Sequence, residues 1–247
     1  MIPDILAHQG SWFFRWRSYV LLGFLPVALL TLSHGEPVEI YLGERADFIY
    51  EGICVALAFF GLGIRALTVG YTPKGTSGRN TREQIAATLN VTGMYSLTRN
   101  PLYLGNAITY MAIALFTQGF YFTILMALFL IIYLERIIAA EERFLTEKFG
   151  AHYMEWANLV PAFFPSLSGW KAPELDFSMR NVLRREYSGF FAIIAAFVAI
   201  EALGDLLYRG RMLLDEAWAI AFITGAIIYL TLRSLNRSTR VLNVPGR

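Results

Sequence analysis

Long apolar segments without charge constrain the fold of this chain more than any other feature. Residues 101–116 and 120–134 contain no charged side chain, and only Thr117, Gln118 and Gly119 separate them. A helix needs roughly 20 apolar residues to cross the hydrocarbon core of a bilayer. Lipid offers no hydrogen-bond partner to an exposed backbone, so such segments must be helical there. The sequence therefore predicts a helical hairpin in a membrane.

Four further apolar segments indicate additional spans. They comprise residues 19–32, 48–69, 190–207 and 217–232. Hydrophobic residues make up 56% of the chain and charged residues only 16%, whereas about a quarter of a soluble domain is charged. We expect an all-α fold, a polytopic integral membrane bundle of about six transmembrane helices.

We treat residues 1–247 as a single membrane domain, with its motif-bearing core at residues 71–165. Residues 12–70 and 187–234 hold the supporting spans. Apolar side chains at helical spacing continue from the hairpin through residues 137–149, and Gly150 is a helix-ending signal. The hairpin is therefore predicted to continue into a cytoplasmic amphipathic helix. A short amphipathic helix is also expected at residues 81–89.

Lysine and arginine determine the expected orientation. They concentrate before the first span, between spans two and three, between spans four and five, and after span six. Cytoplasmic loops carry this excess of basic residues. Arg209 and Arg211 fall on the other side. We expect the cytoplasmic (inner) membrane, with both termini and both polar ends of the hairpin in the cytoplasm.

Several function classes find no support in the composition. A net charge of +2 is too small to indicate nucleic-acid binding. The single cysteine, Cys54, and three scattered histidines follow no metal-ligand spacing, so no metal is expected. No alternation of strands and helices occurs, which excludes a Rossmann-type cofactor domain.

Polar residues that could bind a ligand or take part in a reaction lie at both ends of the hairpin. Arg99 and Asn100 precede it, and Glu141 and Glu142 follow it. The arginine could hold a carboxylate or phosphate by two hydrogen bonds, while Asn100-Pro101 also suits a simple helix start. Adjacent helical residues point about 100° apart, so the two glutamates are expected to differ in role. An ion pair of Glu142 with Arg99 is the structural alternative.

These residues belong to a longer pattern that resembles a known family. The family is that of the isoprenylcysteine carboxyl methyltransferases and their bacterial relatives, whose superfamily extends to phospholipid N-methyltransferases. The resemblance covers about a third of the chain. The matching residues are Thr92-Gly93-x-Tyr95, Arg99-Asn100-Pro101-x-Tyr103-x-Gly105, Arg136, Glu141-Glu142, Phe149-Gly150-x-x-Tyr153, Val160-Pro161 and Pro165.

The resemblance implies an S-adenosylmethionine site at the cytoplasmic helix ends. The implied cofactor-binding residues are Gly93, Tyr95, Asn100, Pro101, Tyr103, Glu141 and Glu142. Arg99 and Glu142 are the implied catalytic residues, and Arg79 and Arg99 are assigned to substrate binding. Asn100 stands where the eukaryotic enzymes usually have histidine, and an asparagine cannot titrate as a general base.

We therefore expect an S-adenosylmethionine-dependent methyltransferase acting on a membrane lipid or lipidated substrate, by O-methylation of a carboxylate or phosphate held by Arg99. The alternatives are a phospholipid amine N-methyltransferase, an NADPH-dependent membrane reductase and a non-enzymatic transport protein. The transporter would use Glu201 and Asp205, acids on one face of a span. Pairing of Asp205 with Arg209 near the outer interface is the simpler explanation of those acids. The sequence sets no oligomeric state.

Overall fold

The computed structural model describes residues 2–17, 19–73, 75, 86–212 and 214–247, and these fold into helices without a strand. The all-α prediction is confirmed. The α-helices are α1 (Ile2–Trp16), α2 (Leu25–Leu32), α3 (Pro37–Leu42), α4 (Glu44–Tyr71), α5 (Pro101–Phe116), α6 (Phe120–Phe149), α7 (Ala151–Leu159), α8 (Met179–Arg209) and α9 (Glu216–Ser238). Short 3₁₀ helices lie at Val20–Phe24, Gly93–Ser96 and Leu167–Gly169.

The protein is an integral membrane protein with several spans. Among the residues that the structure describes, five helical segments are long and apolar enough to cross a bilayer, and α5 is a shorter apolar helix. Together they correspond to the six predicted spans. Large apolar side chains such as Ile131 and Ile220 are exposed on them, as expected where lipid surrounds a helix. The five segments are Val20–Leu42, Glu44–Tyr71, Phe120–Phe149, Met179–Arg209 and Glu216–Ser238.

The N-terminal region is more divided than the single span predicted at residues 19–32. Helix α1 packs along α6, where the Phe13 ring lies edge-on at 5.5 Å from Tyr133. Gly10 permits this approach, because the Arg136 carbonyl leaves no room for a Cβ there. Prolines occupy the first turns of both α2 and α3, where a proline suits a helix start and not its interior.

The hairpin has the predicted bounds. Helix α5 covers residues 101–116, and α6 starts at Phe120 and continues unbroken to Phe149. The predicted stop at Gly150 is confirmed, since its positive φ of 55° turns the chain into α7. At the other end Gln118 fastens the loop, accepting a hydrogen bond from the Val38 N–H and donating one to Asp47.

Helices α4 and α5 pack closely through glycines. A Cβ on Gly61 would lie 2.5 Å from the Gly105 carbonyl oxygen, and a Cβ on Gly105 would lie 2.6 Å from that of Gly61. Small residues allow helices in lipid to approach in this way. A Cβ added to Gly52 or Gly63 of α4, in contrast, would meet no atom of the described neighbouring elements within 4 Å. The close contact is therefore local.

Two loops form one end of the bundle, which we call the motif end because α5 and α8 begin there. Residues 92–100 pair with residues 160–173 through backbone hydrogen bonds. The Arg99 N–H donates to the Pro161 carbonyl and the Gly93 N–H to that of Lys171, both at 2.9 Å. The predicted helix at residues 81–89 lies largely outside the described residues, and its described part, residues 86–89, is not helical.

Candidate functional site

A cavity of about 730 Å³ opens at the motif end between α4, α5, α6 and α8. Ligand sites of small molecules have this size. Six predicted site residues line it: Tyr95, Arg99, Asn100, Pro101, Tyr103 and Glu141. The hairpin topology thus brings together residues as far apart in the sequence as Tyr95 and Glu141.

Three predicted residues have other positions. Gly93 is buried beside the cavity, with a positive φ of 58°, and a Cβ there would lie 3.3 Å from Pro173. Glu142 is not among the residues that line the cavity. Arg79 lies outside the described residues.

The two adjacent glutamates make different contacts. Glu141 lines the cavity, and its carboxylate interacts electrostatically with the neighbouring side chain of Tyr103. The positive charge of Arg17, beyond the end of α1, acts on the same carboxylate. Glu141 is therefore a negative group positioned to meet a ligand.

Glu142 points towards Arg99, and its Oε1 lies 2.7 Å from Arg99 Nη2. The ion pair considered as the structural alternative is present. Glu142 Oε1 and Arg99 Nε are nevertheless buried without a hydrogen-bond partner among the described residues. Arg99 Nη1 donates to the Ala157 carbonyl of α7. Arg99 therefore joins the start of α5 to α6 and α7 while it lines the cavity.

Asn100 stands at the N-cap position of α5, but its side chain makes no capping hydrogen bond. Its amide instead donates to the Ala162 carbonyl at 2.8 Å, and the neighbouring Thr98 hydroxyl donates to the Phe163 carbonyl at 2.9 Å. Pro101 occupies the first turn of the helix. The backbone of Asn100 and Pro101 thus begins the helix, as the helix-start interpretation predicts. The side chains of Asn100 and Thr98 bind the loop after α7 instead.

Tyrosine and tryptophan side chains offer buried donors beside these residues. Burial raises the pKa of Tyr95 and of Tyr153, so both phenols stay protonated at neutral pH. Tyr153 Oη and Trp156 Nε1 are buried without a hydrogen-bond partner among the described residues, and Trp156 lines the cavity. A buried donor without an acceptor is costly, so these atoms are suited to a polar ligand.

The structure adds a polar group that the sequence analysis did not identify. Arg65 of α4 donates from Nε and Nη2 to the two carboxylate oxygens of Glu186 in α8, both at 2.9 Å. Arg65 Nη1 donates to Asn106 Oδ1 of α5 at 2.8 Å. We call these three residues the Arg65 triad, and all three line the cavity. The available signal was an arginine inside an apolar segment, which marks a functional position by default.

The acids proposed for a transporter lie at the opposite end of the bundle. Arg209 pairs with Glu39 and lies 3.3 Å from Asp205, as the simpler explanation predicted. One carboxylate oxygen of Glu201 is buried without a hydrogen-bond partner among the described residues. Within the described ranges no group of three or more histidine, cysteine, aspartate or glutamate side chains is placed to hold a metal ion.

Comparison with known proteins adds independent information. Residues 51–152 match a family model described as phospholipid methyltransferase. No solved structure matches the chain.

Two curated bacterial proteins are similar to part of the chain. The cobalt-zinc-cadmium resistance protein CzcN of Cupriavidus metallidurans is 35% identical over 109 residues, which cover 43% of this chain and 48% of that protein. The nickel-cobalt-cadmium resistance protein NccN of Alcaligenes xylosoxydans xylosoxydans is 31% identical over 119 residues, covering 47% and 53%. The chain thus spans about half the length of these curated relatives.

Proposed function

Because residues 51–152 are a phospholipid methyltransferase family domain, within the isoprenylcysteine carboxyl methyltransferase-like group of membrane methyltransferases, we propose that this membrane protein methylates a lipidic acceptor with S-adenosylmethionine. The observation that carries the proposal is the cavity itself. It joins Tyr95, Tyr103 and Glu141 at the motif end to the interior of a membrane bundle. Such a site can admit one ligand from water and the other from the bilayer.

The residues around the cavity fit this cofactor. The Glu141 carboxylate can bind the amino group, and the faces of Tyr95 and Tyr103 can stabilise the sulfonium cation. The buried N–H of Trp156, which has no acceptor among the described residues, suits the carboxylate or adenosine. Gly93, Asn100 and Pro101 would shape the site through their backbone, as the resemblance implies.

When bound, S-adenosylmethionine supplies an electrophilic methyl group, whose bond to sulfur breaks with both electrons going to sulfur as a bond forms to the acceptor oxygen. Arg99 orients the anionic acceptor with its guanidinium, and Glu142 holds Arg99 in place. An anionic oxygen needs no base, so the contribution of the protein is positioning and exclusion of water. We further propose that Arg79 assists in binding the substrate.

An amine acceptor is the second candidate, because the matched family is described as phospholipid methyltransferase. A protonated amine must lose its proton before transfer, and a carboxylate facing the cavity is positioned to receive it. Glu141 is that carboxylate. The two candidates thus differ in whether a protein base takes part.

We propose that the motif end and both termini face the cytoplasm, because lysine and arginine concentrate in the segments at that end. A soluble cofactor made in the cytoplasm would then reach the cavity directly. The lipidic acceptor would enter from the surrounding bilayer.

Ligand stabilisation tests the cofactor assignment. The purified protein should melt at a higher temperature with S-adenosylhomocysteine, since a ligand at ~100 times its Kd adds about 2.7 kcal/mol of stability. NADPH at equal concentration serves as the control and would stabilise a reductase instead. Absence of any shift with S-adenosylmethionine and its product would reject the cofactor.

Transfer of a tritiated methyl group to membrane lipids tests the acceptor. A carboxylate product releases the label as volatile methanol in mild alkali, whereas an N-methylated product retains it. Volatile label would support O-methylation of a carboxylate, and label retained in an amine headgroup would replace it with the second candidate.

A further inference from the structure

The Arg65 triad lies deeper in the bundle than Arg99 and Asn100, which precede α5. Arg65, Asn106 and Glu186 each lie about one and a half to two turns inside their helices, counted from the motif end. At 1.5 Å per residue this is roughly 8–10 Å below the start of α5. The cavity therefore has a polar entrance and a second polar level within the membrane segments.

Close packing of α4 against α5 creates this level. A Cβ on Gly105 would lie 2.7 Å from Arg65 Cγ, so the arginine side chain crosses α5 where α5 has no side chain. The Arg65 guanidinium then donates hydrogen bonds to Asn106 on α5 and to Glu186 on α8. The guanidinium is held from both sides, which defines its orientation.

The guanidinium retains hydrogen-bonding capacity after these contacts. Arginine has five N–H donors, and two of them serve Glu186 while a third serves Asn106. One N–H on each terminal nitrogen therefore has no acceptor within the part of the chain that the structure describes. The Arg65 side chain is 20% exposed and lines the cavity, whereas that of Glu186 is 5% exposed. A ligand in the cavity can use the two remaining donors.

The charges around the cavity favour an anionic ligand. Among the described residues, the lining includes Arg17, Arg65, Arg99 and Arg185, but only Glu141 and Glu186 with negative charge. The described lining thus carries more basic than acidic side chains, which favours an anionic over a cationic ligand.

Below the triad most of the cavity lining is apolar, with Thr109 and Tyr110 beside the hydrocarbon side chains. Leu62, Ile113, Ala192 and Ile193 line this deeper part from α4, α5 and α8. Arg65 and its remaining donors thus stand between a polar entrance and a hydrocarbon surface. A ligand that satisfies both carries an anionic group on a hydrocarbon chain.

We propose that the Arg65 triad binds the anionic oxygen group, phosphate or carboxylate, of an amphiphile whose hydrocarbon chain lies against Ile113 and Ile193. The identification of this amphiphile as the methyl acceptor rests on the proposed function. The binding of the amphiphile at the Arg65 triad does not depend on that function. Arg65 then contacts the acceptor's anionic group from the deeper side and Arg99 contacts it from the entrance, where Glu141 binds the cofactor. The triad would select acceptors by charge.

Binding of matched single-chain amphiphiles tests this site. Dodecyl phosphate, dodecanoate and uncharged dodecanol have equal chains, and their binding to the full chain in maltoside detergent can be followed by tryptophan fluorescence. The double variant Arg65→Met/Glu186→Met removes the ion pair as a unit, which is often neutral or stabilising. We expect at least a tenfold loss of affinity for the anionic ligands and an unchanged affinity for dodecanol. The control Arg209→Gln/Glu39→Gln, at the opposite end, should bind all three as the wild type does.

A second variant keeps the test decisive if the double variant does not fold. Asn106→Asp preserves size and adds a negative charge beside Arg65, so it should weaken anionic ligands at least tenfold and leave dodecanol unaffected. Unchanged anion affinity in a folded variant, or equal loss of all three ligands, would overturn the proposal. Selective binding of dodecyl phosphate or of dodecanoate identifies the anion.

The same preparations separate this proposal from the proposed function. Both variants should retain stabilisation by S-adenosylhomocysteine, because the triad lies away from the entrance. If the wild type shows no such stabilisation but loses anion binding in the variants, the methyltransferase assignment fails and the anion site stands. If the variants lose cofactor stabilisation and anion binding together, the triad is structural and the anion site is rejected.

Discussion

At the residue scale, two neighbouring glutamates show how helix geometry divides chemical roles. Glu141 lines the cavity beside Tyr103, whereas Glu142 pairs with Arg99. The angle of about 100° between successive helical residues accounts for the difference in contacts. Their functional roles, cofactor contact and positioning of Arg99, stay predictions.

Glu141→Gln should weaken S-adenosylhomocysteine binding at least tenfold while the protein stays folded. The amide keeps the shape of the side chain but removes the charge that attracts the amino group. The size of the thermal shift as a function of ligand concentration measures this effect. Glu135→Gln, on the exposed face of the same helix, is the matched control, and an equal effect in both variants would contradict the role of Glu141.

Arg99→Ala and Glu142→Gln should each abolish methyl transfer in a protein that remains folded in detergent. Each change removes one partner of the ion pair, and Arg99→Ala also leaves the Ala157 carbonyl without its donor, a loss of about 1–3 kcal/mol of stability. Methyl incorporation and the melting temperature are measured together. Because the two side chains act as a unit, the double variant should be no worse than the singles. Near-normal turnover in both single variants would disprove the catalytic assignment.

Buried phenols predict an alkaline loss of stability. Burial raises the pKa of Tyr95 and Tyr153 in the folded protein, so folding favours their protonated form. Their contribution to stability is complete below the unfolded pKa of about 10 and is lost as the pH rises further. Replacing both with phenylalanine should flatten the fall of the melting temperature between about pH 9 and about pH 11. An unchanged alkaline slope would show that other groups cause it.

At the scale of elements, the contact between α4 and α5 positions the interior of the cavity. Gly61 and Gly105 bring the two backbones together, and the space above Gly105 is filled by the side chain of Arg65. The same contact therefore determines both helix packing and the position of the triad. A change at this point should disturb stability and ligand binding together.

Gly105→Ala should destabilise the bundle by about 1–3 kcal/mol, the usual cost of overpacking. The new methyl group would meet the Gly61 carbonyl and Arg65 Cγ. Gly63→Ala, in the neighbouring helix, meets no atom within 4 Å and should be neutral or slightly stabilising. Melting temperatures compare the two directly. Equal behaviour of the two variants would mean that the close contact is absent in the membrane.

At the scale of the whole molecule, the two ends of the bundle differ in composition. The motif end carries the cavity entrance and most basic residues, while the opposite end carries acids around Arg209. This asymmetry predicts a single orientation in the membrane. The function proposed for the cavity requires that orientation, because the cofactor is soluble.

Single introduced cysteines test the orientation in cells. Glu174→Cys lies at the motif end and Glu44→Cys at the opposite end, and both glutamates are exposed. The native Cys54 is buried and should not react. A maleimide that cannot cross membranes should label Glu44→Cys in intact cells and Glu174→Cys only after lysis. The reverse pattern would invert the proposed topology.

The presence of the membrane-spanning helices and the bounds of the hairpin follow from the amino-acid sequence alone. Their apolar length leaves no alternative in lipid, so the hairpin bounds at residues 101–116 and the stop at Gly150 follow from local features. The co-location of Tyr95, Tyr103 and Glu141 also followed, because a hairpin returns the chain to the side it left. The division of the N-terminal region did not follow from the sequence. Helix α1 is short, and its position depends on a contact with α6 through Gly10.

Which side chains meet inside the bundle depends on how the helices pack in three dimensions. The Arg65 triad joins residues 41 and 121 positions apart, on three helices whose rotation and crossing are set by glycine contacts and core packing. Hydrophobic periodicity constrains the face of a helix, but not which partner that face meets. A local pattern therefore revealed the entrance of the site, and three-dimensional packing alone revealed the polar group within the membrane.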